Sequence, residues 1–383
     1  MFEIETERLP IKLWLHTLDE GALKQARNLA NLNYAFHHIA LMPDTHEGFG
    51  MPIGGVLATR DVVIPNAVGV DIGCGMNAVK TSLEGLDRHE MTGIMEELRE
   101  RIPTGFRHHR KKQDWEGFSR APDVEIVQRE LESAMYQLGT LGGGNHFIEL
   151  QKGSDGFIWI MLHSGSRNFG YTIAGEFYRR AKREAEEKGL DLPDIQLAPL
   201  FLGTESADEY LSSMDFALEF ARASREHMLE RVKEAVRGCR PEVVFGRQIN
   251  IHHNFAALED HFGQTVCVHR KGATSAGSGE LGIIPGSQGT KSYIVRGLGN
   301  PDSFRSCSHG AGRIMGRREA RRSLDLAGER EKLESRGILH SLMSVGDLDE
   351  ASGAYKDIEE VMDLQEDLVE ELVELSPLGV VKG

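Results

Sequence analysis

Cysteine is scarce in this sequence, and the motifs that usually contain it are missing. The four cysteines, Cys74, Cys239, Cys267 and Cys307, lie far apart and form no C-x-x-C pair, so neither a disulfide framework nor a zinc knuckle is expected. No run approaches the roughly 18 to 20 apolar residues that span a bilayer, and the N-terminal residues lack the basic start and apolar core of a secretion signal. These absences predict a protein of the reducing cytoplasm with no membrane partner.

The common phosphate-binding motifs are also missing, although glycine accounts for 43 of the 383 residues. Gly48, Gly50 and Gly54 have the spacing G-x-G-x-x-x-G, which differs from the dinucleotide fingerprint. At 286–292 a threonine separates the last glycine from the lysine, which breaks the Walker A pattern. The K-x-D-G lysine motif of nucleotidyl transfer is absent too. If this protein activates a nucleotide, another nucleophile must do so.

An excess of basic residues is lacking as well, since the formal net charge is −15 at pH 7. Proteins that bind nucleic acid usually carry a basic surface, so the composition alone weighs against such a partner. The segment 101–120 is nevertheless rich in arginine and lysine, and much of the acid lies in stretches expected to be helical, such as 183–194 and 357–375. A basic surface could coexist with acidic helices, although a charge run is more often a solvated face.

The apolar pattern predicts one compact α+β domain over residues 1–383. Helical periodicity covers 177–188 and 205–237. The runs with the length and composition of strands are HIALM, GVLAT, VVIP, FIEL, FIWIMLH, TVCVH, LGIIP and SYIV. Several of them end in glycine, histidine or aspartate clusters. We therefore expect central β-sheets with surrounding helices, and an active site on Gly/His-rich loops at the strand ends.

Side chains of the metal-ligating type recur at these loops. They are Asp71 and Cys74 on one glycine-rich turn, then His146, His163, His252 and His253. Such a mixed set of oxygen, sulfur and nitrogen donors suits Mn, Fe or Zn better than Ca or Mg. A lone cysteine between glycines is more often a small buried side chain, and a lone histidine is more often structural. Because several such groups each end an apolar run, the pattern favours a metal site.

Basic residues beside these histidines indicate a substrate that carries phosphate. Arg167 and Arg313 lie next to glycine and serine turns whose N–H groups can bind phosphate, with the guanidinium groups adding paired contacts. Lys271 and Ser287 have similar surroundings. For each arginine, an ion pair with an acidic helix is an equally good interpretation, and the residues alone leave it open.

Eight motifs follow one another in a fixed order through nearly the whole chain. They are MPDTHEG, VGVDIGCGMN, GTLGGGNHFIE, LHSGSR, HHN, VHRKGA, IPGSQGTKSYIV and SHGAGR, followed by AYKDI and VKG. Each motif is weak alone, but the ordered series closely resembles the RtcB family of RNA-splicing ligases.

The resemblance implies a GTP- and Mn(II)-dependent ligase that joins an RNA 3′-phosphate or 2′,3′-cyclic phosphate end to a 5′-hydroxyl end, in tRNA splicing or RNA repair. It also implies a histidine–GMP intermediate on His309, then an RNA 3′-guanylylated intermediate. The positions matching ligands of two Mn(II) ions are Asp71, Cys74, His146, His163 and His253, with Cys74 bridging. The positions matching the nucleotide pocket are Asn145, Phe147, Glu149, Asn254, Ser287, Tyr355 and Lys382, and those near RNA phosphates are Arg167 and Arg313. An archease-type activator is a further implied partner.

Three positions depart from the family pattern. Glu47 stands where a neutral residue is expected, and Asn168 and Phe169 stand where glycine commonly follows the LHSGSR motif. We expect these residues near the RNA path, where they would bear on which RNA is joined. Two other classes stay open. A metal-dependent phosphodiesterase would need the ligands but not His309 as a nucleophile, and a binding module without turnover would need only the pocket.

Overall fold

Two large β-sheets and the helices around them make up the chain, whose computed structural model describes residues 1–383. The α-helices are α1 (Glu20–Ala30), α2 (Pro65–Val68), α3 (Arg88–Arg101), α4 (Glu125–Gln137), α5 (Arg167–Glu187), α6 (Glu205–Cys239), α7 (Arg317–Ser323), α8 (Leu326–Glu334) and α9 (Ile358–Asp363). Short 3-10 helices occupy Glu116–Arg120, Ile195–Leu197, Pro301–Ser303, Val345–Glu350 and Ser352–Ala354.

The strands alternate with these helices along the chain. They are β1 (Phe2–Ile4), β2 (Ile11–Leu13), β3 (Ala35–Phe49), β4 (Met51–Thr59), β5 (Val62–Val63), β6 (Gly75–Thr81), β7 (Phe147–Gly153), β8 (Ile158–Ser164), β9 (Leu200–Phe201), β10 (Phe245–His252), β11 (Asn254–His261), β12 (Gln264–Lys271), β13 (Ala273–Ser275), β14 (Leu281–Ile284), β15 (Ser292–Gly297), β16 (Ser306–Ser308) and β17 (Val369–Lys382). All eight apolar runs that predict strands are strands in the structure.

The strand order places sequence-distant segments side by side. One sheet has the order β1-β2-β3-β4-β12-β11, the other has the order β10-β6-β8-β7-β17-β15-β14, and β13-β16 and β5-β9 form separate pairs. A hydrophobic cluster with residues from β3, β4 and β12 also contains residues from β15 and β17, so the two large sheets share a core. The predicted α+β class with central sheets is confirmed.

Helix α6 links the outer helices to the seven-stranded sheet. It begins after Thr204, whose hydroxyl accepts the N–H of Ala207 at 3.4 Å, and Glu205 adds a favourable charge to its first turn. Its N-terminal half packs in one cluster with α4 and α5, and its C-terminal half packs in another with α3 and β6 to β8. Both predicted helical stretches are therefore confirmed, as α5 and α6. No helix in the structure has the length and apolar character needed to cross a membrane.

The acidic segment 357–375 was expected to be helical, and this expectation is largely wrong. Only α9 at its start is helical, and the remainder enters β17. The strand lies inside the seven-stranded sheet and pairs with β7 on one side and β15 on the other. Valine and leucine favour a pleated surface, and the ladder on both sides outweighs the helix propensity of the glutamates.

Candidate metal centre and pocket

Four of the predicted ligands lie where four strands of the seven-stranded sheet begin or end, on the same side of the sheet. Cys74 precedes β6, His146 precedes β7, His163 lies near the end of β8, and His253 follows β10. These four strands are neighbours, and each pair is antiparallel. The start of one strand therefore lies beside the end of the next, which brings positions far apart in the sequence to one place. Asp71 joins them from the turn that leads to Cys74.

The ligand atoms form two triplets that share one sulfur. Asp71, Cys74 and His146 make up the first, and Cys74, His163 and His253 make up the second, with all three ligand atoms of each within 4.8 Å of one another. The Cys74 Sγ lies 3.4 Å from His146 Nε2 and 3.2 Å from His163 Nε2. Ligand atoms that surround one ion at about 2.0 to 2.3 Å have separations of this order. Each triplet therefore has donor atoms spaced closely enough to hold a metal ion, and Cys74 belongs to both triplets.

Two of the three imidazole rings, those of His146 and His163, are oriented by backbone carbonyl groups. His146 Nδ1 lies 3.0 Å from the Leu141 oxygen, and His163 Nδ1 lies 3.1 Å from the Asn145 oxygen. An Nδ1–H that donates to a carbonyl leaves Nε2 unprotonated, which is the form that ligates a metal. Burial, followed by neighbouring positive charge, holds the pKa of His163 and of His253 well below the ordinary value. These rings are neutral donors over a wide pH range.

A buried arginine supports the ends of the ligand-bearing strands. Arg225 is fully buried, and its Nη1 donates to the Gly73 oxygen at 2.8 Å and to the Ser164 oxygen at 2.9 Å. Its Nε donates to Asn250 Oδ1 at 2.8 Å, and its Nη2 donates to His252 Nδ1 at 3.1 Å. His252 therefore faces this arginine and lies outside both triplets, as the resemblance implies. With no carboxylate partner, the Arg225 cation also offsets the negative charge of the cluster.

Beside the metal triplets, His309 pairs with a buried carboxylate. The His309 Nδ1 lies 2.5 Å from Asp44 Oδ2, and its backbone N–H donates to the same oxygen at 3.1 Å. Burial opposes ionisation of Asp44, but the charge of His309 and this hydrogen bond hold its pKa below the ordinary value. The His309 ring centre lies 4.9 Å from that of His253. A β-carbon at Gly312 would lie 2.2 Å from the backbone carbonyl oxygen of Asp44, so the close approach of these two segments requires glycine.

A polar pocket opens next to His309. Six of the seven predicted nucleotide residues line it, together with His309 and Arg313: Asn145, Phe147, Glu149, Ser287, Tyr355 and Lys382. Asn254 is the exception. Its amide donates to the Asp71 oxygen at 3.0 Å and accepts the Gly272 N–H at 2.8 Å, so it ties the Asp71 turn to the end of β12.

Two carboxylates in the pocket wall have opposite surroundings. Burial raises the pKa of Glu149 to about 8, and its Oε1 has no hydrogen-bond partner. Glu350 is also buried, but Lys382 Nζ at 3.0 Å and Tyr355 Oη at 2.6 Å donate to it. Although burial opposes ionisation of Glu350 too, nearby positive charge holds its pKa at about 2. Glu350 therefore organises the wall, and Glu149 has an unused acceptor.

Arg167 is partly buried beside the triplet of Asp71, Cys74 and His146. Its Nη1 is 3.2 Å from His146 Nδ1, its Nε has no hydrogen-bond partner, and it forms no ion pair within 4 Å. The guanidinium group packs on Gly142, where a β-carbon would lie 1.9 Å from it. Arg167 has a left-handed backbone with φ of 61°, a strained conformation for a side chain of this size. This geometry is suited to a phosphate contact.

Arg313, by contrast, is engaged within the protein. Its Nη2 donates to the Asp349 oxygen at 2.7 Å, its Nε donates to the Met315 oxygen at 3.2 Å, and its guanidinium lies over the Tyr355 ring. It is also 3.5 Å from Glu350, so it makes the acidic contact that the sequence left open. Its role near RNA phosphate stays a prediction.

Two expectations about solvent-facing residues are wrong. Phe169 is 1% exposed and packs on aromatic side chains of α6, so it belongs to the core and not to an RNA path. Lys271 is also buried, and its ammonium group donates to two backbone carbonyl oxygens. Asn168 and Glu47 are exposed, and their effect on RNA choice stays a prediction.

The sequence interpretation missed two residues that organise the site. Asp44 lies within the quoted motif MPDTHEG, where an acidic residue at the end of an apolar run was a usable signal. Glu350 lies in an acidic segment with no motif, and nothing in the sequence distinguishes it from its neighbours.

The fold and the site together define an α+β protein with a candidate dinuclear metal centre. The family profile described as "tRNA-splicing ligase RtcB" matches residues 25–122 and 108–383. The "RNA-splicing ligase RtcB" of Escherichia coli K12 is 41% identical over 410 residues, covering 99% of both chains. The chain belongs to the RtcB family.

More distant relatives have similar names. The "RNA-splicing ligase RtcB" of Mycobacterium tuberculosis is 32% identical over 438 residues, covering 94% of this chain and 100% of the relative. The "tRNA-splicing ligase RtcB" of Thermococcus kodakarensis is 30% identical over 445 residues, covering 95% of this chain and 91% of the relative. The similarity therefore extends over nearly the full length of each protein.

Proposed function

We propose that this chain is an RNA ligase that uses GTP and two Mn(II) ions to join an RNA 3′-phosphate or 2′,3′-cyclic phosphate end to a 5′-hydroxyl end. The observation that carries the proposal is the 2.5 Å contact between His309 and buried Asp44, next to two metal triplets and a polar pocket. Family membership supports the RNA-ligase part. The nucleotide chemistry rests on the geometry and on the resemblance.

His309 has the arrangement of an activated nucleophile. Its Nδ1–H donates to Asp44, so the lone pair on Nε2 is free. Attack of Nε2 on the α-phosphorus of GTP forms an N–P bond and breaks the bond to the leaving pyrophosphate oxygen. The ring then carries a positive charge, which the buried Asp44 carboxylate stabilises. The same contact that orients the ring therefore also lowers the energy of the product.

The two triplets would hold the divalent ions. Bound Mn(II) supplies neutralisation of charge on the phosphoryl oxygens. The thiolate and imidazole donors fit Mn(II), Fe(II) or Zn(II) better than Mg(II), which prefers oxygen ligands. Arg167, which has no carboxylate partner, adds a fixed positive charge beside the triplet of Asp71, Cys74 and His146.

A 2′,3′-cyclic phosphate end would first add water, which breaks its P–O bond to the 2′-oxygen and leaves a 2′-hydroxyl and a 3′-phosphate. Transfer from His309 to RNA would then need two further steps. An oxygen of the RNA 3′-phosphate attacks the phosphorus of the adduct, which returns the electron pair to Nε2 and makes a 3′-guanylylated end. The 5′-hydroxyl then attacks the former 3′-phosphate and loses its proton to solvent, while the bond to the GMP oxygen breaks and GMP leaves. Both steps exchange one phosphorus–heteroatom bond for another, so no oxidant or second nucleotide is required. The junction phosphate comes from the 3′ end.

Glu149 is the residue that we propose for recognition of guanine. A guanine edge offers two neighbouring N–H donors, and a carboxylate can accept both. The unpartnered Glu149 oxygen lies in the pocket wall between Phe147 and the strand that carries Lys382. Binding in this way needs the ionised form, which burial disfavours because it raises the pKa to about 8.

We expect GTP affinity to rise with pH in a way that depends on Glu149. Because burial raises the pKa of Glu149 to about 8, its carboxyl group is mostly protonated below pH 8. Guanine binding to the carboxylate must then release a proton. The affinity should gain about tenfold per pH unit below pH 8 and level off above it. Isothermal titration of GTP binding at several pH values checks this, with Glu149→Gln as the comparison. An equal slope in the variant would contradict the assignment.

The proposed function is tested by tracing the labels. Purified protein with Mn(II) and α-³²P-GTP should form an acid-labile, base-stable protein adduct. An RNA with a ³²P-labelled 3′-phosphate and a partner with a 5′-hydroxyl should give a junction that retains the label. Sealing of a 3′-hydroxyl to a 5′-phosphate would contradict the proposal. If no adduct formed and a cyclic phosphate were only hydrolysed, the phosphodiesterase interpretation would replace it.

A further inference from the structure

A basic loop lies between α3 and the 3-10 helix at Glu116–Arg120, and it covers residues 104–112. The loop is fixed to its surroundings by main-chain hydrogen bonds. The Gly105 N–H donates to the Gly142 oxygen at 2.7 Å, and the His109 N–H donates to the Tyr136 oxygen at 3.0 Å. The Nε2 atom of His109 also lies 3.1 Å from Nη1 of Arg231 in α6. The loop therefore presents its outward side chains from an anchored backbone.

The outward side chains are one aromatic ring and several cations. Phe106 is 102% exposed, and Arg107, Arg110 and Lys111 are exposed around it. None of these three cations has a carboxylate within 4 Å, whereas Lys112 pairs with Glu132 at 2.8 Å. A single exposed phenylalanine is ordinary by itself. Its position among unpaired cations, on a chain with a net charge of −15, distinguishes this surface.

Two residues, Gly142 and Arg167, connect the basic loop to the proposed metal centre. Gly142, which accepts the N–H of Gly105, also packs against the Arg167 guanidinium. Arg167 in turn lies 3.2 Å from His146. A chain of phosphates that begins at Arg167 would therefore reach the basic loop next.

We propose that the basic loop binds the single-stranded RNA beside the end that is joined. Phe106 stacks on a base, and Arg107, Arg110 and Lys111 contact phosphates. Stacking on an aromatic ring tolerates any base, and phosphate contacts carry no sequence information. This combination would allow RNA ends of varied sequence to bind. The inference rests on the proposed function, because it names the RNA contact of the same site.

The test compares RNA binding with nucleotide transfer. The variants are Phe106→Ala, Phe106→Tyr and the double variant Arg110→Gln/Lys111→Gln. The matched control is Arg88→Gln/Arg183→Gln, which removes two exposed charges that have no ion-pair partner. These lie roughly 20 Å from the helix ends nearest the site, at about 1.5 Å per residue. The probe is an unstructured RNA oligonucleotide with a 3′-phosphate, and its Kd is measured by fluorescence anisotropy at several salt concentrations without GTP.

We expect Phe106→Ala to raise the RNA Kd about 5- to 150-fold, while Phe106→Tyr preserves it because the ring remains. The double variant should lower the slope of log K against log salt by about 1.4, which corresponds to two lost phosphate contacts on a single strand. The control should change neither quantity. Labelling by α-³²P-GTP needs no RNA, so it reports whether each variant is folded and whether the proposed function itself holds.

Several outcomes would overturn the inference. If Phe106→Ala and the double variant are labelled normally and bind RNA with the Kd of the parent, the basic loop does not bind RNA. An equal loss of affinity in the control would mean diffuse electrostatic attraction instead of a site. If the variants kept RNA binding but lost self-association or binding of an acidic protein, the surface would belong to a protein partner. Failure of the parent to form an adduct would count against the proposed function alone, since RNA binding is measured without it.

Discussion

Replacing His309 with glutamine is expected to abolish the GMP adduct, with labelling falling below detection. Glutamine has a similar length but no nitrogen that can attack phosphorus and carry the resulting charge. The variant should still join an RNA supplied with a preformed 3′-guanylylated end, because the metal triplets and Arg167 remain. The measurements are labelling by α-³²P-GTP and ligation of the preactivated RNA.

Asp44→Asn tests whether Asp44 sets the tautomer of His309, because the variant keeps the His309 side chain and changes only its partner. The amide keeps the shape of the side chain but can donate to Nδ1, which favours the tautomer that protonates Nε2. We expect labelling to slow by about 10⁴-fold, the loss found in a serine protease when the aspartate that orients the catalytic histidine becomes asparagine. His340→Gln, which alters another partly buried histidine, one with the Glu334 carboxylate at 3.5 Å, should leave labelling unchanged. Normal labelling in a folded His309→Gln protein would remove His309 from the mechanism.

Cys74→Ala is expected to remove both bound Mn(II) ions and to lower ligation by about 10³-fold or more. Changing a residue that only supports a ligand costs about 10- to 100-fold, and Cys74 belongs to both triplets at once. The side chain is small and buried, so its loss should cost little stability. Bound manganese is counted by electron paramagnetic resonance, and folding is followed by the Tm.

Cys267→Ala is the matched control for this experiment. Cys267 is equally buried, and it lies in β12 outside both triplets. It should therefore bind manganese and ligate as the parent does. Full ligation by a folded Cys74→Ala protein would rule out the proposed metal assignment.

Local pattern predicted eight of the seventeen strands and found the candidate metal-ligating side chains, because each of these side chains lies next to a short apolar run or a glycine turn. It missed β6, β10 and β11, and it predicted a helix where most of β17 lies. It could not provide the partners of these side chains. Asp44 and His309 are separated by 265 residues, and only the packing of β3 against the loop after β16 brings them together. Phe169 was misplaced for a related reason, since its burial depends on α6. The role of each of these residues depends on contacts with residues far away in the sequence, and its local motif does not identify those contacts.

The position of β17 has a consequence for the synthesis of this protein. Its two partners in the sheet, β7 and β15, are translated at least 70 residues earlier. Lys382, the last residue of β17, lines the pocket. Until that segment leaves the ribosome, β7 and β15 each present an unpaired edge, which is the kind of surface that draws other chains into aggregates. A nascent or prematurely terminated chain would hold every candidate metal ligand and yet lack Lys382, which lines the candidate nucleotide pocket. If the proposed function holds, nucleotide transfer would therefore begin only after β17 has been translated and has joined the sheet.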